Sequence, residues 1–139
     1  MKLDSISQWC LYRERSIFET RTYLITKGVS KTDAEHILKH LTHENLINDC
    51  RFANAYVSGK IRINKWGKQK VLAGLYKHHI AAECIDLALN QVEENEYLKI
   101  LNAHIASRIH QVSREQLIRW LMGKGFEYQL IVSLISKYV

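Results

Sequence analysis

Proline is absent from this chain of 139 residues, glycine occurs six times and cysteine three times. Each shortage excludes something. A chain without proline and with few β-branched alternations points to an all-α fold. No apolar run approaches the ~20 residues that a membrane-spanning helix needs. The opening Met1-Lys2-Leu3-Asp4 starts no apolar targeting segment. Cys10, Cys50 and Cys84 show no CxxC spacing and leave an odd thiol. They suggest a reducing compartment with free, mostly buried cysteines. The expected setting is therefore cytoplasmic, with no membrane contact. Catalytic signatures are also missing: there is no GxSxG, no P-loop, no GxGxxG and no carboxylate pair in an apolar setting. Ser16, Ser30 and Ser113 read as helix caps rather than nucleophiles. The expectation is a protein that is not an enzyme and holds no cofactor.

What the chain does have is one helix–turn–helix pair written three times. With Val29, Ile80 and Phe126 as anchors, Leu24, Leu75 and Leu121 each stand five residues earlier. After the anchors come Ala34, Ile37, Leu38 and Leu41; then Ile85, Ala88, Leu89 and Val92; then Ile131, Leu134, Ile135 and Tyr138. Each set is the i, i+3, i+4, i+7 stripe of a half-buried helix. Gly28 and Gly125 precede their anchors, where the residue after a helix needs positive φ, and His79 holds that place in the middle copy. Thirteen residues before the anchors stand Ser16, Gly67 and Ser113. Ser16 with Glu19 and Ser113 with Gln116 form capping boxes, and Trp66–Val71 and Val112–Leu117 suit hydrophobic staples. The first copy is the imperfect one, with Thr20 and Arg21 where the others have Val71-Leu72 and Leu117-Ile118.

Leading helices are expected near 4–12, 50–63 and 97–110. Phe52, Ala53, Tyr56 and Val57 give the second an apolar face; Leu98, Leu101, Ile105 and Ile109 give the third one. The chain then divides into three tandem three-helix repeats, 1–48, 49–95 and 96–139, packed into an elongated array. A monomer is expected.

Charge is distributed unevenly. The net charge is +6, yet no acidic residue lies between Asp49 and Glu83. That interval holds Arg51, Lys60, Arg62, Lys65, Lys68, Lys70 and Lys77. Trp66 sits among these cations. Such a surface attracts phosphate backbones or an acidic protein groove; the plainer alternative is a solvated basic face. Trp66 suits either stacking on a base or stapling the helix start. Asp49 reads as the N-cap of the middle leading helix. Arg51, just inside that N-terminus, is poorly placed against the helix dipole, so either a partner carboxylate or solvent must accommodate it. His36, His40 and His43 share a helical face, but Ile37, Leu38 and Leu41 already define the buried side, and no HExxH order follows. No metal site is expected.

The block Leu46-Ile47-Asn48-Asp49-Cys50-Arg51-Phe52-Ala53 resembles the RecX family of bacterial recombination regulators. The family pattern continues with a basic stretch, a helix-opening glycine matched by Gly67, and a Leu-x-x-x-Gly-Ile turn matched by Leu75 to Ile80. Leu24 to Val29 and Leu121 to Phe126 fit the same turn. The chain departs from the pattern at Lys68, where proline is frequent, and at His79. The resemblance implies tandem three-helix units and a regulator that lies in the groove of the RecA–single-stranded-DNA filament, suppressing ATPase and strand exchange. Weak direct contact with single- or double-stranded DNA is compatible with it, and a direct DNA-binding protein acting without RecA is the alternative. The residues favoured for binding are Arg51, Lys60, Arg62, Lys65, Trp66, Lys68, Lys70 and Lys77.

Overall fold

The computed structural model describes residues 3–138; Met1, Lys2 and Val139 lie outside the described residues, and with them the first two positions of the opening segment. Among the described residues the fold is all-helical. Its helices run in order as α1 (Leu3–Tyr12), α2 (Ile17–Thr26), α3 (Lys31–His43), α4 (Asp49–Arg62), α5 (Lys68–Lys77), α6 (Ala82–Asn90), α7 (Glu94–Arg108), α8 (Arg114–Gly123) and α9 (Tyr128–Ile135). A 3-10 turn, Ser136–Tyr138, ends the described chain. None of these helices is long and apolar enough to cross a membrane. The expected leading helices are α1, α4 and α7. The last begins three residues early because Glu94 and Glu96 suit the positive end of a helix.

Each second helix ends as its spacing demands. Val29 donates its N–H to the Leu24 carbonyl at 3.1 Å, Ile80 to Leu75 at 3.3 Å and Phe126 to Leu121 at 3.1 Å. Gly28 and Gly125 take φ of 90° and 100°, and His79 makes the same turn at 56°. The capping boxes at Ser16 and Ser113 both form. A fourth turn of this kind closes α3, where Asn45 has φ 58° and Leu46 donates to Leu41 at 2.8 Å.

The apolar stripes make two cores rather than three. Ile6, Cys10, Leu24, Ala34, Leu38, Leu41 and Ile47 form one under α1–α3. The second and third units share the other, from Phe52 through Val71 and Leu75 to Leu117, Phe126 and Ile131. The imperfect first copy explains the separation. Thr20 is buried with its hydroxyl donating to the Ser16 carbonyl at 2.7 Å, and Arg21 turns outward to Glu35 at 2.6 Å. Tyr97 and Ile100 join the buried face of α7 while Leu98 and Ile109 sit at its edge. Tyr138 is 40% exposed, because the chain tightens into the 3-10 turn before reaching it and the last stripe ends at Ile135.

The second helices of successive units meet end to end. Gly67 and Gln69, at the start of α5, donate their N–H groups to the carbonyls of Lys124 and Gly125 at 2.8 and 2.9 Å. Unpaired donors of one helix thereby satisfy unpaired acceptors at the end of another. This is why α5 needs no side-chain cap. It is also why position 67 is glycine, since a Cβ there would collide with the backbone of Gly125 and Phe126. Tyr97 completes the joint: its hydroxyl accepts from the Lys68 N–H at 2.9 Å and donates to Glu127 at 2.6 Å. Burial and that carboxylate push the phenol pKa far above its ordinary range. At the other end of α5, His78 Nδ1 lies 2.7 Å from Ser16 Oγ, and the His79 ring tilts over Phe18.

Two expectations need correction. Asn48, not Asp49, caps α4, its side chain accepting from the Arg51 N–H at 2.9 Å. Asp49 reaches across to the first unit and accepts from the Ile17 N–H at 2.8 Å. Its side chain serves the start of α2, whose first N–H otherwise lacks an acceptor. The thiols are also not all free. Cys50 and Cys84 form a disulfide, because the first turns of α4 and α6 pack together with Cα atoms 4.6 Å apart. Cys10 remains a buried free thiol, and burial raises its pKa.

Gly67→Ala should therefore destabilise the chain by about 1–3 kcal/mol through overpacking at the joint. Asp49→Ala should cost about 1–3 kcal/mol by stranding the Ile17 N–H. Asp49→Asn keeps an oxygen acceptor and removes a charge whose burial raises its pKa, so it should cost less than the alanine. Urea unfolding of the three variants checks all of this.

Candidate partner-binding surface

The acid-free interval runs along α4, the α4–α5 loop and α5. The loop is held from both sides. Trp66 donates its N–H to the Lys60 carbonyl at 3.0 Å, and His104 Nε2 donates to the Lys65 carbonyl at 2.8 Å. Lys65 pays for this course with a φ of 59°, unusual for a residue with a Cβ. The result is an exposed lysine at a fixed loop apex.

Trp66 occupies the staple position, half-buried against the core that contains Val71. Its ring carries two ammonium groups, Lys60 Nζ at 4.9 Å and Lys70 Nζ at 4.2 Å from the centroid. Cation–π attraction of about 0.5–1 kcal/mol at such exposed sites holds both lysines over the indole without neutralising them. The two like charges are brought together on one small platform, where an anion would relieve their repulsion.

Neighbouring units claim some of the seven cations. Arg51 pairs with Glu14 of the first unit, its Nε 2.8 and 2.6 Å from the two carboxylate oxygens, and Nη2 donates to the Asn45 carbonyl at 3.0 Å. The carboxylate that its position called for is thus the chain's own. Arg62 pairs with Glu96 at 2.8 Å and Lys68 with Glu94 at 3.9 Å, both from the third unit. Among the described residues, Lys60, Lys65, Lys70 and Lys77 stand outside the ion pairs. Lys60 and Lys70 flank the Trp66 ring, and Lys65 immediately precedes it in the loop. Lys77 lies seven residues beyond Lys70 on α5, roughly 10 Å further along the axis.

The structure adds residues that charge-gap reading missed. Arg108 stacks over Trp120 at 3.9 Å, Lys124 lies 5.4 Å from the same ring, and His104 meets its edge at 5.3 Å. Lys124 also supplies the carbonyl that receives the Gly67 N–H, one residue from Trp66. Both cation-flanked tryptophans therefore lie within a few residues of the joint between the second and third units. A signal existed in the repeat itself. Trp120–Lys124 occupies the same two positions as Tyr23–Lys27, where Lys27 lies 5.6 Å from the Tyr23 ring.

No group of histidine, cysteine and carboxylate side chains among the described residues is arranged to hold a metal ion. His36, His40 and His43 all point to solvent.

Comparison with known proteins bears on this surface. Residues 48–89 match the family model described as RecX, second three-helix domain. The chain is 25% identical over 126 residues to the regulatory protein RecX of Lactobacillus johnsonii, covering 86% of this chain and 46% of that protein. It is 29% identical over 133 residues to the regulatory protein RecX of Oceanobacillus iheyensis, covering 91% of this chain and 49% of that one. The chain thus spans about half the length of these relatives. The crystal structure of RecX from Lactobacillus salivarius superposes with a TM-score of 0.80 over 97% of this chain and 92% of that one, at 21% identity. That likeness establishes the shared fold.

The polar joint beside this surface should be pH-sensitive. Burial lowers the His78 pKa below its ordinary 6.5, keeping the ring neutral to accept from the Ser16 hydroxyl. The folded state then binds fewer protons than the unfolded one as pH falls through 6.5 toward the depressed folded value. Stability contributed by this group is complete above pH 6.5 and lost across that window. The difference in urea midpoint between pH 7.5 and 5.5 should shrink in His78→Gln.

Proposed function

We propose that the chain acts as a RecX-type regulator, a reading supported by the match of residues 48–89 to the RecX second three-helix domain and by its similarity to regulatory proteins RecX, and that it binds the RecA–single-stranded-DNA filament and restrains RecA ATP hydrolysis. In this reading it is a cytoplasmic, monomeric regulator of recombination, DNA repair and the SOS response, and it catalyses no reaction. The observation that carries the reading is the pair of cation–aromatic clusters beside the second joint, with Lys60 and Lys70 around Trp66, Lys65 exposed next to it in the loop, and Arg108 and Lys124 around Trp120. Its charges suit the phosphates or acidic side chains of a nucleoprotein polymer. Three tandem units also suit a partner whose own surface repeats. Lys77 extends the contact along α5. Arg51, Arg62 and Lys68 act chiefly by fixing the units against one another, since each is held by a carboxylate of a neighbour.

Direct nucleic-acid binding without RecA is the second reading, favoured by the two indoles set among cations. Three or four phosphate contacts on a single strand would give a log–log salt slope of roughly −2 to −3. A flat salt response of free single-stranded DNA binding would remove that reading while leaving the first intact.

Purified chain titrated into RecA on single-stranded DNA should lower the ATP hydrolysis rate. Combined charge reversal at Lys60, Lys65 and Lys70 should raise the concentration needed by roughly tenfold or more, with unchanged helical content by circular dichroism. Reversal of the exposed Lys31 and Lys39 in the first unit should change little. Equal potency of the two sets would place the contact elsewhere.

A further inference from the structure

We propose that Cys50 and Cys84 are a reversible redox clasp, closed by low-molecular-weight disulfides and opened by small thiols. The inference goes beyond the filament-binding reading and does not depend on it. Four observations point the same way. The two cysteines form a disulfide with Cα atoms 4.6 Å apart, within the ordinary range for such a bond. Both lie in the first turn of a helix: Cys50 is two residues past the Asn48 cap of α4, and Cys84 is three past the Ala81 cap of α6. A helix N-terminus stabilises thiolate, the form that attacks disulfides. Both side chains are half-buried rather than enclosed, so a small disulfide can reach them. Cys10, by contrast, is buried in the separate first core, which keeps the third thiol out of the exchange.

The chemistry balances without a metal or a cofactor. One protein thiolate attacks a sulfur of the small disulfide, expelling one small thiolate and leaving a mixed disulfide. The second protein thiolate then attacks the protein-side sulfur and expels the other. Two electrons pass from the protein dithiol to the small molecule, and the two protons end on the two released thiols. Reduction runs the same steps backwards.

The location gives closure a meaning. The ring closed by the disulfide runs from residue 50 to residue 84 and contains all seven cations of the acid-free interval. It ties the start of α4, where Asp49 and Arg51 hold the first unit, to the start of α6. Oxidation therefore clamps the unit that carries the basic surface, chiefly by restricting its unfolded chain.

Wild-type chain equilibrated with reduced or oxidised glutathione, then quenched with N-ethylmaleimide in denaturant, tests this by intact mass and peptide mapping. Reduced protein should take label on all three cysteines. Oxidised protein should take it on Cys10 alone, with a Cys50–Cys84 linked peptide, and a return to reduced glutathione should restore full labelling. The oxidised form should melt roughly 5–15 °C higher than the reduced form. That gap should disappear in Cys50→Ser and in Cys84→Ser and persist in Cys10→Ser, each variant being compared with itself in the two buffers. Labelling of Cys50 and Cys84 after oxidised glutathione, stable glutathione adducts on either, a bond that reduced glutathione does not open, or equal melting of the two wild-type forms would each overturn the proposal.

Discussion

Two backbone hydrogen bonds, from Gly67 and Gln69 to Lys124 and Gly125, hold the arrangement on which the rest depends. They convert the unsatisfied ends of two helices into one continuous junction. That junction explains why α5 starts on a glycine without a capping side chain and why Tyr97 is buried with a hydroxyl between Lys68 and Glu127. A side chain at position 67 would force the units apart and dissolve the surface that both contribute to.

The units also edit one another's charge. Seven cations in an acid-free stretch look like a uniform patch when only the chain order is considered. In space, Glu14 approaches from one neighbour and Glu94 and Glu96 from the other, and Arg51, Arg62 and Lys68 become struts. Exposed pairs of this kind contribute little stability individually, about 0–1 kcal/mol. Their larger effect is selection: of the seven cations they leave Lys60, Lys65, Lys70 and Lys77 outside the ion pairs.

The helices and their turns were legible because they are local. The i, i+5 relation between Leu24 and Val29, the capping residues at Ser16 and Ser113, and positive φ at Gly28, His79 and Gly125 all follow from residues within a few positions of one another. The misreadings came from partners far along the chain. Asp49 sits where an N-cap is plausible, yet its acceptor role is set by Ile17, and Cys50 meets Cys84 only once α4 and α6 pack. The cation–aromatic surface proposed for binding was half legible. A charge gap located Lys60, Lys65 and Lys70, but Arg108 and Trp120 belong to the third unit, where Glu96, Glu115 and Glu127 interrupt the cations and shorten the acid-free runs.

The division into two cores has a mechanical consequence. The first unit buries its own small set of apolar residues, while the other two share a larger one. What joins the first unit to the second is mainly polar: Asp49 to Ile17, Ser16 to His78, Arg51 to Glu14. Such a seam opens at lower free energy than a shared apolar interior. The N-terminal unit thus rests on a polar seam, so the loss of any one of these three contacts weakens its attachment while leaving both apolar interiors intact.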